Sequence, residues 1–189
     1  EQWGEAGRSV DFFDLKADLE ALLFPRVAEF ERAVHPALHP GRSAQIVLDG
    51  KCIGFIGELH PVWVQRYELG AAPVVFEIEL EALLETVTPA YREVSRFPAV
   101  TRDLALVVDQ DASAGQLLKG LQSVAPAIVQ RIELFDQYQG KGIEQNRKSL
   151  AFRVVMQETQ KTLEDAEVDA VMIALTRHAE ENLGAKLRA

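Results

Sequence analysis

Residues 95–108 read S-R-F-P-A-V-T-R-D-L-A-L-V-V. Pro98 disfavours helix at Phe97, so the chain enters the stretch extended. From Arg102 onward the side chains alternate, with Leu104, Leu106 and Val108 on one side and Asp103, Ala105 and Val107 on the other. An apolar row backed by small and polar residues predicts a sheet with one packed face and one open face, flanked by Arg96 and Arg102. Downstream, Asp111-Ala112-Ser113 can cap a helix over 114–124 with Leu117, Leu118, Leu121 and Val124 on one side. A second strand is expected over 128–138, a glycine-containing hairpin loop over 139–147 and a third strand over 148–157. In that third strand Leu150, Phe152, Val154 and Met156 alternate with Ala151, Arg153 and Val155. Thr162 with Asp165 reads as an acidic capping box for a helix to about residue 183, striped by Val168, Val171, Met172, Leu175 and Ala179. Gly184 ends it, and 185–188 can add a short edge strand. The order β-α-β-β-α-β predicts a ferredoxin-like sandwich: an antiparallel sheet, two helices on one face, the other face free.

The first half reads differently. Residues 10–14 suggest a short strand, followed by a helix over 15–23 whose apolar stripe is Leu15, Leu19, Leu22 and Leu23. An extended segment over 30–34 and a loop over 35–43 follow. A hairpin then turns at Asp49-Gly50, a type I′ signal. A helix over 62–69 closed by Gly70, a strand over 74–80 and a helical turn over 80–84 complete it. The overall class is α+β: a mixed α/β portion over 1–88, a linker over 89–95 and the sandwich over 96–189.

The net charge of −9 argues against indiscriminate nucleic-acid binding and gives no reason to expect a DNA partner. It is unevenly spread: residues 1–90 hold 15 acidic and 7 basic groups, and 91–189 hold 14 and 13. Within 138–153, Lys141, Arg147, Lys148 and Arg153 face only Glu144, a local charge of +3 that permits selective RNA binding. No apolar run is long enough to span a bilayer, so no membrane partner is expected. Cys52 is the single cysteine, which excludes an intrachain disulfide and favours a reducing, cytoplasmic setting. The start Glu1-Gln2-Trp3-Gly4, without methionine or a basic leader, reads as a segment of a longer protein.

No catalytic constellation is visible. His35, His39 and His60 each precede proline and have no carboxylate or second-cysteine framework at metal-ligand spacing, so loop-stiffening surface roles are expected. Cys52 reads as a buried small hydrophobe. Gly140-Lys141-Gly142 is not a phosphate loop, because the strand–glycine–Lys–Ser/Thr–helix setting is missing. The open sheet face is more informative. Ala105, Ala151 and Arg153 leave room there for a planar ligand, with Tyr138 placed to stack on a base and Asp136 and Ser149 to meet its polar edge. A strict pleat, however, gives Asp136 and Tyr138 the parity of Ile132 and Leu134, toward the helices, unless the strand twists or bulges there.

The words S-R-F-P-A-V-T-R-D-L-A-L-V-V (95–108), I-E-L-F-D-Q-Y-Q-G (132–140), K-S-L-A-F-R (148–153) and T-L-E-D-A-E-V (162–168) resemble the C-terminal domain of the bacterial phenylalanyl-tRNA synthetase β subunit. Upstream, F-F-D-L-K-A-D-L-E-A-L-L (12–23), H-P-A-L-H-P-G-R-S-A (35–44), G-F-I-G-E-L-H-P (54–61) and V-F-E-I-E-L (75–80) resemble the same subunit in the same order. The resemblance implies that 1–88 ends a non-catalytic, class II synthetase-like core module that serves assembly, and that 96–189 is a ferredoxin-fold anticodon-binding domain. It places the first anticodon base on Tyr138, its polar partners at Asp136 and Ser149, and a close approach at Ala105. Lys141, Arg147, Lys148 and Arg153 are added as phosphate or backbone contacts. It further implies tRNA(Phe), the α subunit and a second αβ pair as partners. ATP and magnesium are implied for the complete enzyme, with no cofactor, metal or catalytic residue in this chain. A ferredoxin-like regulatory or protein-interaction module without RNA binding is the alternative.

Overall fold

The computed structural model describes residues 7–85, 88, 91 and 93–188. The linker expected over 89–95 falls partly outside them, as do residues 1–6. The chain divides into two compact units, Glu1–Ala90 and Tyr91–Ala189.

In the first unit, helix α1 (Phe12–Leu23) starts where residues 10–14 suggested a strand. The reason is Asp11, whose carboxylate accepts from the Phe13 and Asp14 N–H groups at 2.8 and 3.2 Å while Asp14 accepts from the Asp11 N–H at 2.8 Å. Arg8 donates to the Asp14 carboxylate, and with the Asp11 N–H it holds that carboxyl at about 2. Strands β1 (Glu29–Arg32), β2 (Leu38–Leu48), β3 (Lys51–Leu59) and β4 (Val74–Ile78) form one antiparallel sheet in that order. The hairpin turns at Asp49 and Gly50, both at positive φ (50° and 80°), as the type I′ reading requires. β2 extends into the expected loop: between the Leu38–Leu59 and Ser43–Gly57 pairs it carries extra residues, so His39 to Arg42 bulge within the strand. A second irregularity, between Ile46 and Val47, accompanies an exposed Cys52, contrary to the buried position expected for it. Helix α2 (Pro61–Arg66) ends earlier than expected. Glu68 takes the left-handed conformation (φ 51°), and the Leu69 N–H reaches back to the Val64 carbonyl at 3.0 Å, so Glu68 terminates the helix in place of Gly70. Helix α3 (Leu80–Leu84) follows β4. The unit's core is built on Leu19, Leu23, Ile46, Leu48, Ile53 and Ile56, while Leu22 of the predicted stripe is exposed.

In the second unit, β5 (Val100–Asp109), α4 (Ala114–Val124), β6 (Val129–Tyr138), β7 (Arg147–Met156), α5 (Asp165–Asn182) and β8 (Lys186–Leu187) follow in the predicted order. Their antiparallel sheet runs β6-β7-β5-β8. Ser113 caps α4, its hydroxyl accepting from the Gln116 N–H at 3.4 Å. α5 is capped from Glu164, whose N–H donates to the Glu167 carboxylate at 3.0 Å, and not from Thr162. The entry to β5 is tied to the exit of β7: the Ser95 hydroxyl donates to the Glu158 carbonyl at 2.7 Å and the Gln157 amide to the Phe97 carbonyl at 2.7 Å. Leu104, Leu106 and Val108 meet Leu150, Phe152, Val154 and Met156 on one face, closed by Leu117, Leu121, Val168, Val171 and Leu175 from the helices. Phe152 is fully buried at the centre. Phe152→Ala removes the whole ring from a fully buried site. The expected outcome is a loss of about 3–5 kcal/mol in the second unit, read from its urea unfolding transition.

Candidate nucleic-acid interface

The face of the second sheet away from the helices is a set of rows running across the strands. Tyr138 pairs with Ser149, Ser149 with Val107, and Val107 with Lys186. In the next row Asp136 pairs with Ala151 and Ala151 with Ala105, whose carbonyl accepts from the Arg188 N–H at 2.9 Å. Beyond it Glu133, Arg153 and Asp103 align.

Asp136 and Tyr138 reach this face because β6 bulges. Its register against β7 shifts between the Leu134–Phe152 and Asp136–Ala151 pairs, leaving Phe135 as the extra residue. Before the bulge, Ile132 and Leu134 pair with the core residues Val154 and Phe152; after it, Asp136 and Tyr138 pair with Ala151 and Ser149 of the opposite row. One inserted residue thus reverses the parity that an unbroken pleat dictates.

Tyr138 lies over the hairpin loop. Its hydroxyl donates to the Lys141 carbonyl at 3.2 Å, and a Cβ on Gly140 would stand 2.8 Å from that hydroxyl, so the ring's position needs glycine there. The Arg188 guanidinium carbon sits 5.2 Å from the centre of the Tyr138 ring, a cation–π contact. Ser149 is buried, and no fully buried side-chain oxygen or nitrogen among the described residues lacks a partner.

The four basic residues do not act as one patch. Arg153 donates to both oxygens of Asp103, Nε to Oδ1 at 3.0 Å and Nη2 to Oδ2 at 3.1 Å. Arg147 lies 3.2 Å from Asp109 and 3.8 Å from Glu144. Lys148 pairs with Val108 in the helix-facing row, on the other side of the sheet from Tyr138. Lys141 is exposed in the hairpin loop next to Tyr138. Sequence reasoning therefore finds Tyr138, Asp136, Ser149 and Ala105 as neighbours. It misses the carboxylate partners of the arginines, which lie 50 residues away for Arg153, and the reach of Arg188 across the sheet.

The family model described as the ferredoxin-fold anticodon binding domain matches residues 95–188. That of the phenylalanyl tRNA synthetase beta chain CLM domain matches residues 1–80. The chain belongs to the phenylalanine–tRNA ligase β-subunit family. It is similar to the phenylalanine–tRNA ligase β subunits of Aromatoleum aromaticum (63% identical over 188 residues), Dechloromonas aromatica (56% over 189) and Ralstonia nicotianae (50% over 198). Each match takes in 100% of this chain and 24% of the relative, so the chain spans about a quarter of the length of these β subunits. The open face described above belongs to the part that matches the anticodon-binding domain.

Among the described residues no group of three or more His, Cys, Asp or Glu is placed to hold a metal ion, and no helix is long and apolar enough to cross a membrane. His35, His39 and His60 instead each accept a backbone N–H two residues on, from Ala37, Gly41 and Val62 at 3.3, 3.0 and 3.2 Å. They stiffen local turns.

The Asp103 carboxyl lies below its ordinary value, chiefly because Arg153 donates to it. A depressed carboxyl contributes stability in full above the ordinary carboxylate range and loses it as pH falls below that range. An NMR titration of the Asp103 side chain is expected to give a lower midpoint in the native chain than in Arg153→Gln. Equal midpoints would mean that the two-pronged pair does not persist in solution.

Proposed function

We propose that this chain is the end of a phenylalanine–tRNA ligase β subunit and that its second unit binds the anticodon of tRNA(Phe) on the open sheet face. The observation that carries the reading is the convergence of Tyr138, Asp136, Ser149 and Ala105 on that one face through the bulge at Phe135. Tyr138 supplies the stacking surface for the first anticodon base. Asp136 and Ser149 meet the base's polar edge, and the methyl side chain of Ala105 allows the close approach. To stack, the base takes the place of the Arg188 guanidinium on the ring. That exchange is favourable, since a base stack is worth about 1–3 kcal/mol and an exposed cation–π contact about 0.5–1 kcal/mol.

Lys141, in the loop beside Tyr138, is the phosphate contact in this reading. Arg147 and Lys148 act at longer range, one held by carboxylates and the other on the helix side. The first unit serves assembly with the α subunit and, through it, with a second αβ pair. Attachment of phenylalanine to tRNA(Phe), with its ATP and magnesium, belongs to the complete enzyme. This chain's own part is to hold the anticodon.

The test compares binding of a tRNA(Phe) transcript with one altered in its anticodon, over a range of salt concentrations. Tighter binding of the unaltered transcript is expected, and equal, weak binding to both overturns the reading. Tyr138→Ala is expected to cost about 1–3 kcal/mol of affinity for the unaltered transcript.

A further inference from the structure

We propose that Phe135 and Arg153 form a second base-stacking station beside Tyr138, with Arg153 acting through the flat face of its guanidinium and not as a phosphate counter-charge. The inference rests on the RNA-binding reading above and extends it to a second unpaired nucleotide.

Phe135 is the residue that the bulge inserts, and it keeps 48% of its surface exposed. Its ring lies under the Arg153 guanidinium, whose central carbon is 4.6 Å from the ring centre. At the edge of the same guanidinium, Asp103 accepts from Nε at 3.0 Å and from Nη2 at 3.1 Å. Two parallel hydrogen bonds fix the plane of the group, which a single contact does not. They also set a carboxylate against its charge, which weakens its pull on a phosphate. What remains is a pre-oriented flat surface of guanidinium on ring, half open to solvent. Unpaired RNA bases stack on aromatic rings and on arginine planes alike.

The spacing suits a neighbour of the base on Tyr138. Ser149 pairs with Tyr138, and Arg153 stands four residues further along β7, about 13 Å away at about 3.3 Å per residue. Between the two stations the floor is Ala151 and Ala105, paired across β7 and β5. Their methyl groups leave the space between the walls unfilled. A base on Tyr138 occupies one end of this trough, and Phe135–Arg153 forms the other.

The experiment measures tRNA(Phe) binding by the whole 189-residue chain as a function of salt. Arg153→Lys and Phe135→Leu are each expected to weaken binding roughly 5- to 150-fold, with the slope of log affinity against log salt unchanged. Phe135→Tyr keeps the ring and is expected to bind like the native chain. Asp103→Asn removes a negative charge from an RNA-binding face, which electrostatics alone predicts to tighten binding; the station predicts that it weakens it. If Arg153→Lys binds like the native chain, or Arg153→Gln lowers the salt slope by about 1, Arg153 is a phosphate contact and the inference is overturned. Tighter binding by Asp103→Asn overturns it as well. The anticodon-altered transcript separates the two levels. A native chain that does not discriminate defeats the anticodon reading itself, whereas a discriminating native chain matched by Phe135→Leu and Arg153→Lys defeats the second station alone.

Discussion

The alternation along β7 is the constraint on which the second unit depends. Leu150, Phe152, Val154 and Met156 are all fully buried against the two helices. Sliding this strand by one residue would carry Ser149, Ala151 and Arg153 into that core and bring Phe152 out of it. The burial of four large side chains therefore fixes, to the residue, where the opposite row stands. With β7 central between β5 and β6, the same register positions Ala105 and Asp103 on one side and Tyr138 and Asp136 on the other. The open face inherits its accuracy from the core beneath it.

On this frame, the floor and walls of the face divide the work. Alanines keep the middle low, and the residues that offer flat surfaces stand at either end. The charges are largely spoken for: Arg153 by Asp103 and Arg147 by Asp109. Under the proposed reading, recognition on such a face selects for exposed bases more than for negative charge, which suits a chain whose net charge is −9.

Much of this was legible in the sequence because it depends on local periodicity. The core rows of β5 and β7, the stripe of α5, that of α4 apart from the exposed Val124, and the Asp49-Gly50 turn follow from spacing alone. So does the β-α-β-β-α-β order. The failures are of two kinds: local conformations that residue propensities misassign, and pairings between segments far apart in the chain. Asp11 and Asp14 close a reciprocal cap that turns an apparent strand into the start of α1. Glu68 tolerates a left-handed conformation that propensity assigns to glycine. The structure puts the candidate residues Tyr138, Asp136, Ser149 and Ala105 on one face, yet that facing could not be read from the sequence. A bulge is specified by how β6 must meet β7, and nothing in I-E-L-F-D-Q-Y marks Phe135 as the extra residue. Summing charges over 138–153 likewise gives a basic patch, because Asp103 and Asp109 lie outside the window.

The irregularities of β6 bear on solubility too. β6 is the outermost strand of its sheet, with a neighbour on one side only. An outer strand with regular spacing offers a row of N–H and C=O groups to any passing chain. β6 breaks its spacing twice, between Val129 and Arg131 and between Leu134 and Asp136. No regular strand can match that edge over its full length. The residue that turns Tyr138 toward the open face thereby also guards the sheet against growing by another copy of itself.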